Sequence, residues 1–97
     1  MENAKLPSLK MLSTSTCPSC VRMGRVLDDL VEKYGGKVTA EKIDLHENRD
    51  IAKQYNVRFV PHLLFVDAEG TVVKEEVGYV PIEQVLKNFT DAGIAIE

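Results

Sequence analysis

The sequence lacks most features that would assign a chain to a specialised class. It has only two cysteines in 97 residues, too few for the cysteine-dense frameworks that staple small secreted domains. No apolar run approaches the roughly 20 residues of a membrane span. There is no internal repeat, no low-complexity tract and no linker rich in proline, glycine or serine, so 1–97 reads as one domain. Nor is there an excess of positive charge. The 12 Lys and Arg stand against 15 Asp and Glu, for a net −3, and the basic residues are scattered among acids. That pattern predicts no nucleic-acid partner and no membrane-surface patch. Met1-Glu2-Asn3-Ala4-Lys5 leads into no signal-peptide core, which predicts a cytoplasmic chain if the sequence is whole; a piece cut from an exported precursor would read the same.

What remains suits one soluble core. The composition is 44% hydrophobic and 28% charged, and a chain of this length buries about two thirds of its unfolded surface, enough for a core without staples. Residues 1–7 read as a flexible lead-in ending at Pro7. Leu9–Ser13 reads as a short buried strand, followed by the loop Thr14-Ser15-Thr16. Pro18 suits the first turn of a helix, where its missing N–H is not needed. Val21, Met23, Val26, Leu27, Leu30, Val31 and Tyr34 then recur at helical spacing, and Gly35-Gly36 ends the run as a C-cap. Lys37–Leu45 alternates as a second strand with no clean inward face. Asn48-Arg49-Asp50 caps a short helix over Ile51–Tyr55. His62–Val66 is the most apolar run and reads as a central strand. Asp67-Ala68-Glu69-Gly70 is a hairpin turn to a charged edge strand over Thr71–Val77, which Gly78 breaks. Pro81 opens a last helix to about Ala92. The order β-α-β-α-β-β-α predicts an α/β fold with a four-stranded mixed sheet. The first two strands are parallel with a right-handed crossover, the last two antiparallel, and helices cover both faces.

Both cysteines fall in Thr16-Cys17-Pro18-Ser19-Cys20, at the junction of loop and first helix. In a reducing compartment such a pair is catalytic or metal-binding more often than structural. Redox work needs a thiolate, and a helix start supplies free N–H groups and the positive end of the macrodipole. Such placement lowers a cysteine pKa from about 8.5 into the range of roughly 3.5–7.5. Cys17 is therefore the expected nucleophile, and Cys20, one turn further on the same face, the resolving thiol. Arg22 and Arg25 either add positive potential there or point into solvent. Against a metal site, the cysteines with His46 and His62 make four candidate ligands, but not at zinc-finger spacing. The loop–helix junction argues against two inert core cysteines.

The pattern as a whole resembles the thioredoxin family over about residues 8–92. The match rests on Cys17-Pro18-Ser19-Cys20 after a strand, Asp44 closing the second strand, Tyr55-Asn56-Val57-Arg58-Phe59-Val60-Pro61 before an apolar strand, and Val77-Gly78 before the final helix. The resemblance implies a cis Val60–Pro61 bond packed beside the cysteine pair. It also implies that Val60 offers its backbone to an extended substrate and that Gly78 leaves room for the partner chain. Read from its residues alone, Pro61 is equally a trans proline opening a strand. Several positions depart from the family. Thr16 stands where a tryptophan usually precedes the first cysteine, Met11 where a buried acid shuttles protons, Gly24-Arg25 where a mid-helix proline is common, and His62 where a threonine often follows the proline. The family's extra N-terminal strand and helix are not seen, leaving a minimal core similar in size to glutaredoxins. Their glutathione-binding Gly-Gly-x-x-Asp is replaced by Val77-Gly78-Tyr79-Val80-Pro81.

The resemblance implies a thiol–disulfide oxidoreductase that reduces protein disulfides, with a monomeric chain, no cofactor beyond its redox-active disulfide and no resident metal. With no nucleotide-binding loop in the chain, electrons come from a separate reductase of the thioredoxin-reductase type. The alternatives are a glutathione-dependent, glutaredoxin-like enzyme and a thioredoxin-fold metal chaperone. Pro18, Ser19 and Pro61 shape the site. His62 is a candidate for tuning the Cys17 thiolate, since histidine titrates near neutrality; the competing expectation is a ring pointing away along its strand. His46, Asp28-Asp29 and Glu75-Glu76 read as solvated polar positions. Phe59, Val60 and Tyr79 read either as an apolar rim for protein substrates or as core and loop residues, the latter more for Phe59 than for Tyr79. Gly24, at a cost of about 1 kcal/mol against alanine, suggests close helix–sheet packing.

Overall fold

The computed structural model describes residues 5–96. Its elements are β1 (Ser8–Ser13), α1 (Pro18–Tyr34), β2 (Thr39–Asp44), α2 (Arg49–Gln54), β3 (His62–Val66), β4 (Val72–Val77) and α3 (Ile82–Asp91). Of the expected lead-in, residues 1–4 lie outside the described residues, while the Pro7 carbonyl already accepts the Thr39 N–H at 2.9 Å. The four strands form one sheet in the order β2-β1-β3-β4. β1 pairs parallel with β2 and antiparallel with β3, and β3 pairs antiparallel with β4. The expected mixed sheet, with β4 at an edge, is thus observed.

Strand alternation sorts the apolar side chains onto two faces. Leu9, Met11, Leu63 and Phe65 face α1 and α3, whose Met23, Val26, Leu27, Leu30, Val85 and Phe89 are buried against them. Leu12, Ile43, Leu64 and Val66 face the other way, under Ile51, Tyr55 and Val57 of the α2 region. Phe65 and Phe89 meet edge to face, centroids 5.2 Å apart, a geometry that suits the ring quadrupoles. The buried positions of α1 lie three and four residues apart, so one stripe meets the sheet.

Two helix ends differ from expectation. Gly35 follows α1 in a right-handed conformation (φ −62°), not the left-handed one of a glycine C-cap. Its glycine answers to a close approach instead, since a Cβ there would lie 2.5 Å from the Val31 carbonyl oxygen. The left-handed glycine is at the end of α3: Gly93 (φ 84°) donates to the Thr90 carbonyl and Ile94 N–H to that of Phe89. This turn returns the chain to the core, where Ile96 is buried.

Candidate active site

Cys17 is the residue that caps α1. Its backbone is extended (φ −113°, ψ 104°), its carbonyl accepts the first helical N–H groups from Cys20 and Val21, and its Sγ accepts the Cys20 N–H at 3.0 Å. Sulfur here occupies the place of an N-capping oxygen. Pro18 at the first helical position and the absence of any acidic residue in the first turn leave the positive helix end uncompensated. Cys17 and Cys20 are joined as a disulfide, their Cα atoms 5.2 Å apart. The two sulfurs are not equivalent: Cys17 is half-buried at the surface, whereas Cys20 is 5% exposed.

The loop before β3 forms the second wall. The Val60–Pro61 bond is cis, as the resemblance implied, and the Val60 carbonyl oxygen lies 3.7 Å from Cys17 Sγ. The third wall is Gly78, whose N–H donates to the Pro61 carbonyl at 2.8 Å. Gly78 has φ 97° and open space where a Cβ would project, so its glycine answers to backbone conformation. The next residues tie this wall to α1. The Val80 N–H donates to Met23 Sδ at 3.3 Å, and the Arg22 guanidinium lies over the Tyr79 ring, 4.5 Å from its centroid. Thus Cys17, Pro18, Ser19, Cys20, Val60, Pro61 and Gly78 are brought together at one end of the sheet. An open cleft of about 420 Å³ flanks Cys20, lined by Met11, Gly24, Arg25 and Lys42 among others. Met11 occupies the position beneath the pair, and the nearby Lys42 amine is held at 3.0 Å by Asp28.

His62 faces away from α1, on the side of the sheet that carries Leu12 and Leu64. It is 7% exposed, its Nε2 lies 2.6 Å from Glu75 Oε1, and its Nδ1 is buried without a partner. Its hydrogen bond therefore goes to the edge strand and to neither cysteine. The Glu75-Glu76 pair is not simply a solvated edge. Strand alternation sends Glu75 to His62 and Glu76 to the opposite face, where the buried Asn88 donates to its Oε2 at 2.7 Å. Phe59 is 71% exposed, so it is the member of the rim least engaged in the core, the reverse of what the sequence suggested. Gly24 is not required by packing: a Cβ would meet Lys42 and Met11 only at 3.5–4.0 Å, ordinary contact. Sequence reasoning missed the Arg22–Tyr79 stack, because its partners are far apart in the chain and neither residue type demands the other. Among the described residues no group of three or more His, Cys, Asp or Glu could hold a metal ion, and no helix is long and apolar enough to cross a membrane.

Comparison with known proteins agrees with this geometry. The sequence matches the thioredoxin-like domain family over residues 1–93. It is 35% identical to thioredoxin C-2 of Corynebacterium nephridii, covering 95% of this chain and 83% of that one. It is 34% identical to a thioredoxin of Haemophilus influenzae, covering 95% and 84%. The solution structure of a thioredoxin-like protein from Clostridium perfringens superposes with a TM-score of 0.82 at 26% identity, covering 95% of this chain and 75% of that one.

Proposed function

This chain belongs to the thioredoxin family, and from that premise we propose that it acts mainly as a reductase of protein disulfides, with Cys17 as nucleophile and Cys20 as resolving thiol. It is a thiol–disulfide oxidoreductase whose redox-active disulfide is the electron carrier, with no separate cofactor. The observation that supports the assignment of roles is the inequality of the two sulfurs. Only Cys17 is open to a partner, and it alone takes a helix N–H on its sulfur.

In the reduced protein the Cys17 thiolate is stabilised by that N–H and by the helix end. It attacks one sulfur of a substrate disulfide; that S–S bond breaks, a mixed disulfide forms, and the other substrate sulfur leaves as thiolate. Cys20 then loses its proton to water in the adjoining cleft and attacks the Cys17 sulfur. The mixed disulfide breaks, the second substrate sulfur leaves as thiolate and takes up a proton from solvent, and Cys17–Cys20 is oxidised. Two electrons have passed to the substrate. Val60 and Gly78 line the backbone channel for an extended substrate, with Pro18, Ser19 and Pro61 shaping its walls. A separate reductase restores the dithiol. The chain acts as a single monomeric domain in the cytoplasm. Any influence of His62 on the Cys17 thiolate is indirect, because its ring lies on the far side of the sheet, bonded to Glu75.

Three experiments test this reading. Cys17→Ser abolishes disulfide reduction and Cys20→Ser accumulates a trapped mixed disulfide; full activity in Cys17→Ser rejects the proposal. For His62, the pH dependence of Cys17 alkylation is measured in His62→Ala, and an unchanged midpoint removes histidine from the mechanism. Activity coupled to thioredoxin reductase and absent with glutathione and glutathione reductase separates this reading from a glutaredoxin-like one.

A further inference from the structure

Three segments supply the walls of the site: residues 14–25, which carry both cysteines; 55–61, which end in the Val60 carbonyl beside Cys17 and the cis Pro61; and 77–82, which include Gly78, bonded to Pro61. Together they carry Arg22, Arg25 and Arg58 and no Asp or Glu. The chain as a whole has 12 basic residues against 15 acidic ones; with these three arginines set aside, 9 basic residues face all 15 acids. The stretches that build the site are thus positive in an otherwise acidic chain; the one acid in the cleft beside Cys20, Asp28, is paired with Lys42. All three arginines are exposed, and none makes an ion pair among the described residues. The same segments hold four of the six exposed large apolar side chains among the described residues, Val21, Phe59, Val77 and Tyr79.

Arg22 is the most organised of the three cations. Its guanidinium carbon lies 4.5 Å from the centroid of the Tyr79 ring, within cation–π reach, and it has no ion-pair partner among the described residues, so it is available to a carboxylate. Tyr79 follows Gly78, Gly78 is bonded to Pro61, and the Val60 carbonyl touches Cys17 Sγ. Arg22 and Tyr79 thus join the first turns of α1 to the Gly78 wall, the two elements that flank Cys17.

We propose that this face selects protein substrates whose disulfide lies in an acidic segment, with Arg22, positioned by Tyr79, as the specificity-determining residue and Phe59 covering an apolar neighbour of the attacked cysteine. This rests on the reductase reading above. The chemistry is unchanged: substrate S–S bonds are broken by Cys17, and Arg22 acts only on which substrates dock. A rim cation facing a complementary anion raises the rate of productive encounter and suppresses partners of like charge.

The test uses three disulfide peptides that differ only in the residues flanking one cysteine: Glu, Gln or Lys. The chain has no tryptophan, so oxidation of the reduced protein is read by acid quench and mass spectrometry. At low salt the Glu peptide is expected to react about tenfold faster than the Lys peptide, with the gap closing at about 0.5 M salt. Expressed relative to the Gln peptide, so that changes in thiol reactivity cancel, Arg22→Glu reverses the order. Tyr79→Leu loses half or more of the Glu preference, because the charge stays but its orientation does not. Equal rates for the three peptides, or a wild-type order in Arg22→Glu, overturn the inference and leave the reductase reading standing. Failure to react with any of them, with no adduct trapped by Cys20→Ser, overturns the reductase reading and this inference with it.

Discussion

At the scale of single residues, two positions behave differently from what their identities suggest. Gly24 sits in the middle of α1 with room for a methyl group. Gly24→Ala is expected to stabilise the fold by about 0.5–1 kcal/mol, through helix propensity and a less free unfolded chain; urea denaturation at constant m-value measures it. Glu75 reads as one of many edge charges, yet it holds the buried His62 ring. Removing it leaves a deeply buried imidazole with no partner on either nitrogen, so Glu75→Leu is expected to destabilise by about 1–3 kcal/mol. Glu75→Gln, which keeps an acceptor, loses less. The cysteine pair was legible because its chemistry depends on spacing along a helix start. His62–Glu75 and Arg22–Tyr79 were not, since each depends on register or loop placement between residues distant in sequence.

At the scale of elements, legibility follows burial pattern. α1 was read to the residue, because Pro18 marks its start, one apolar stripe its face and Gly35-Gly36 its end. β3 was equally plain, being buried along its whole length. β2 gave a less clear signal for a physical reason. As an edge strand it buries only Ile43 outright, while Glu41 and Lys42 remain exposed. The segment after α3 was missed. Nothing in Gly93–Ile96 has period or length, and its role depends on a left-handed glycine that turns Ile94 and Ile96 onto the core. Ile96 is buried, so Ile96→Ala is expected to cost about 2 kcal/mol, read as a lower urea midpoint. A midpoint equal to wild type would mean that the tail frays without consequence.

At the scale of the whole molecule, both sheet edges are charged: Glu41 and Lys42 on β2, Lys74, Glu75 and Glu76 on β4. Such edges resist strand addition. With a Cα radius of gyration of 12.8 Å, the chain is expected to scatter X-rays as a monomer whose radius is independent of concentration; growth with concentration would show association. The seclusion of Cys20 has a consequence at this scale too. With Cys17 as the proposed attacking thiol and Cys20 buried, electrons enter and leave through one atom, Cys17 Sγ, and electron donor and electron acceptor take turns at the same face. Steady-state kinetics should follow a double-displacement pattern, with parallel double-reciprocal lines. The oxidised protein and its donor should be held apart by an excess of a non-reducible acidic peptide. On the proposed cycle, whatever surface chemistry suits the substrates must also suit a reductase that reloads the dithiol, so the two partners are constrained to look alike where they dock.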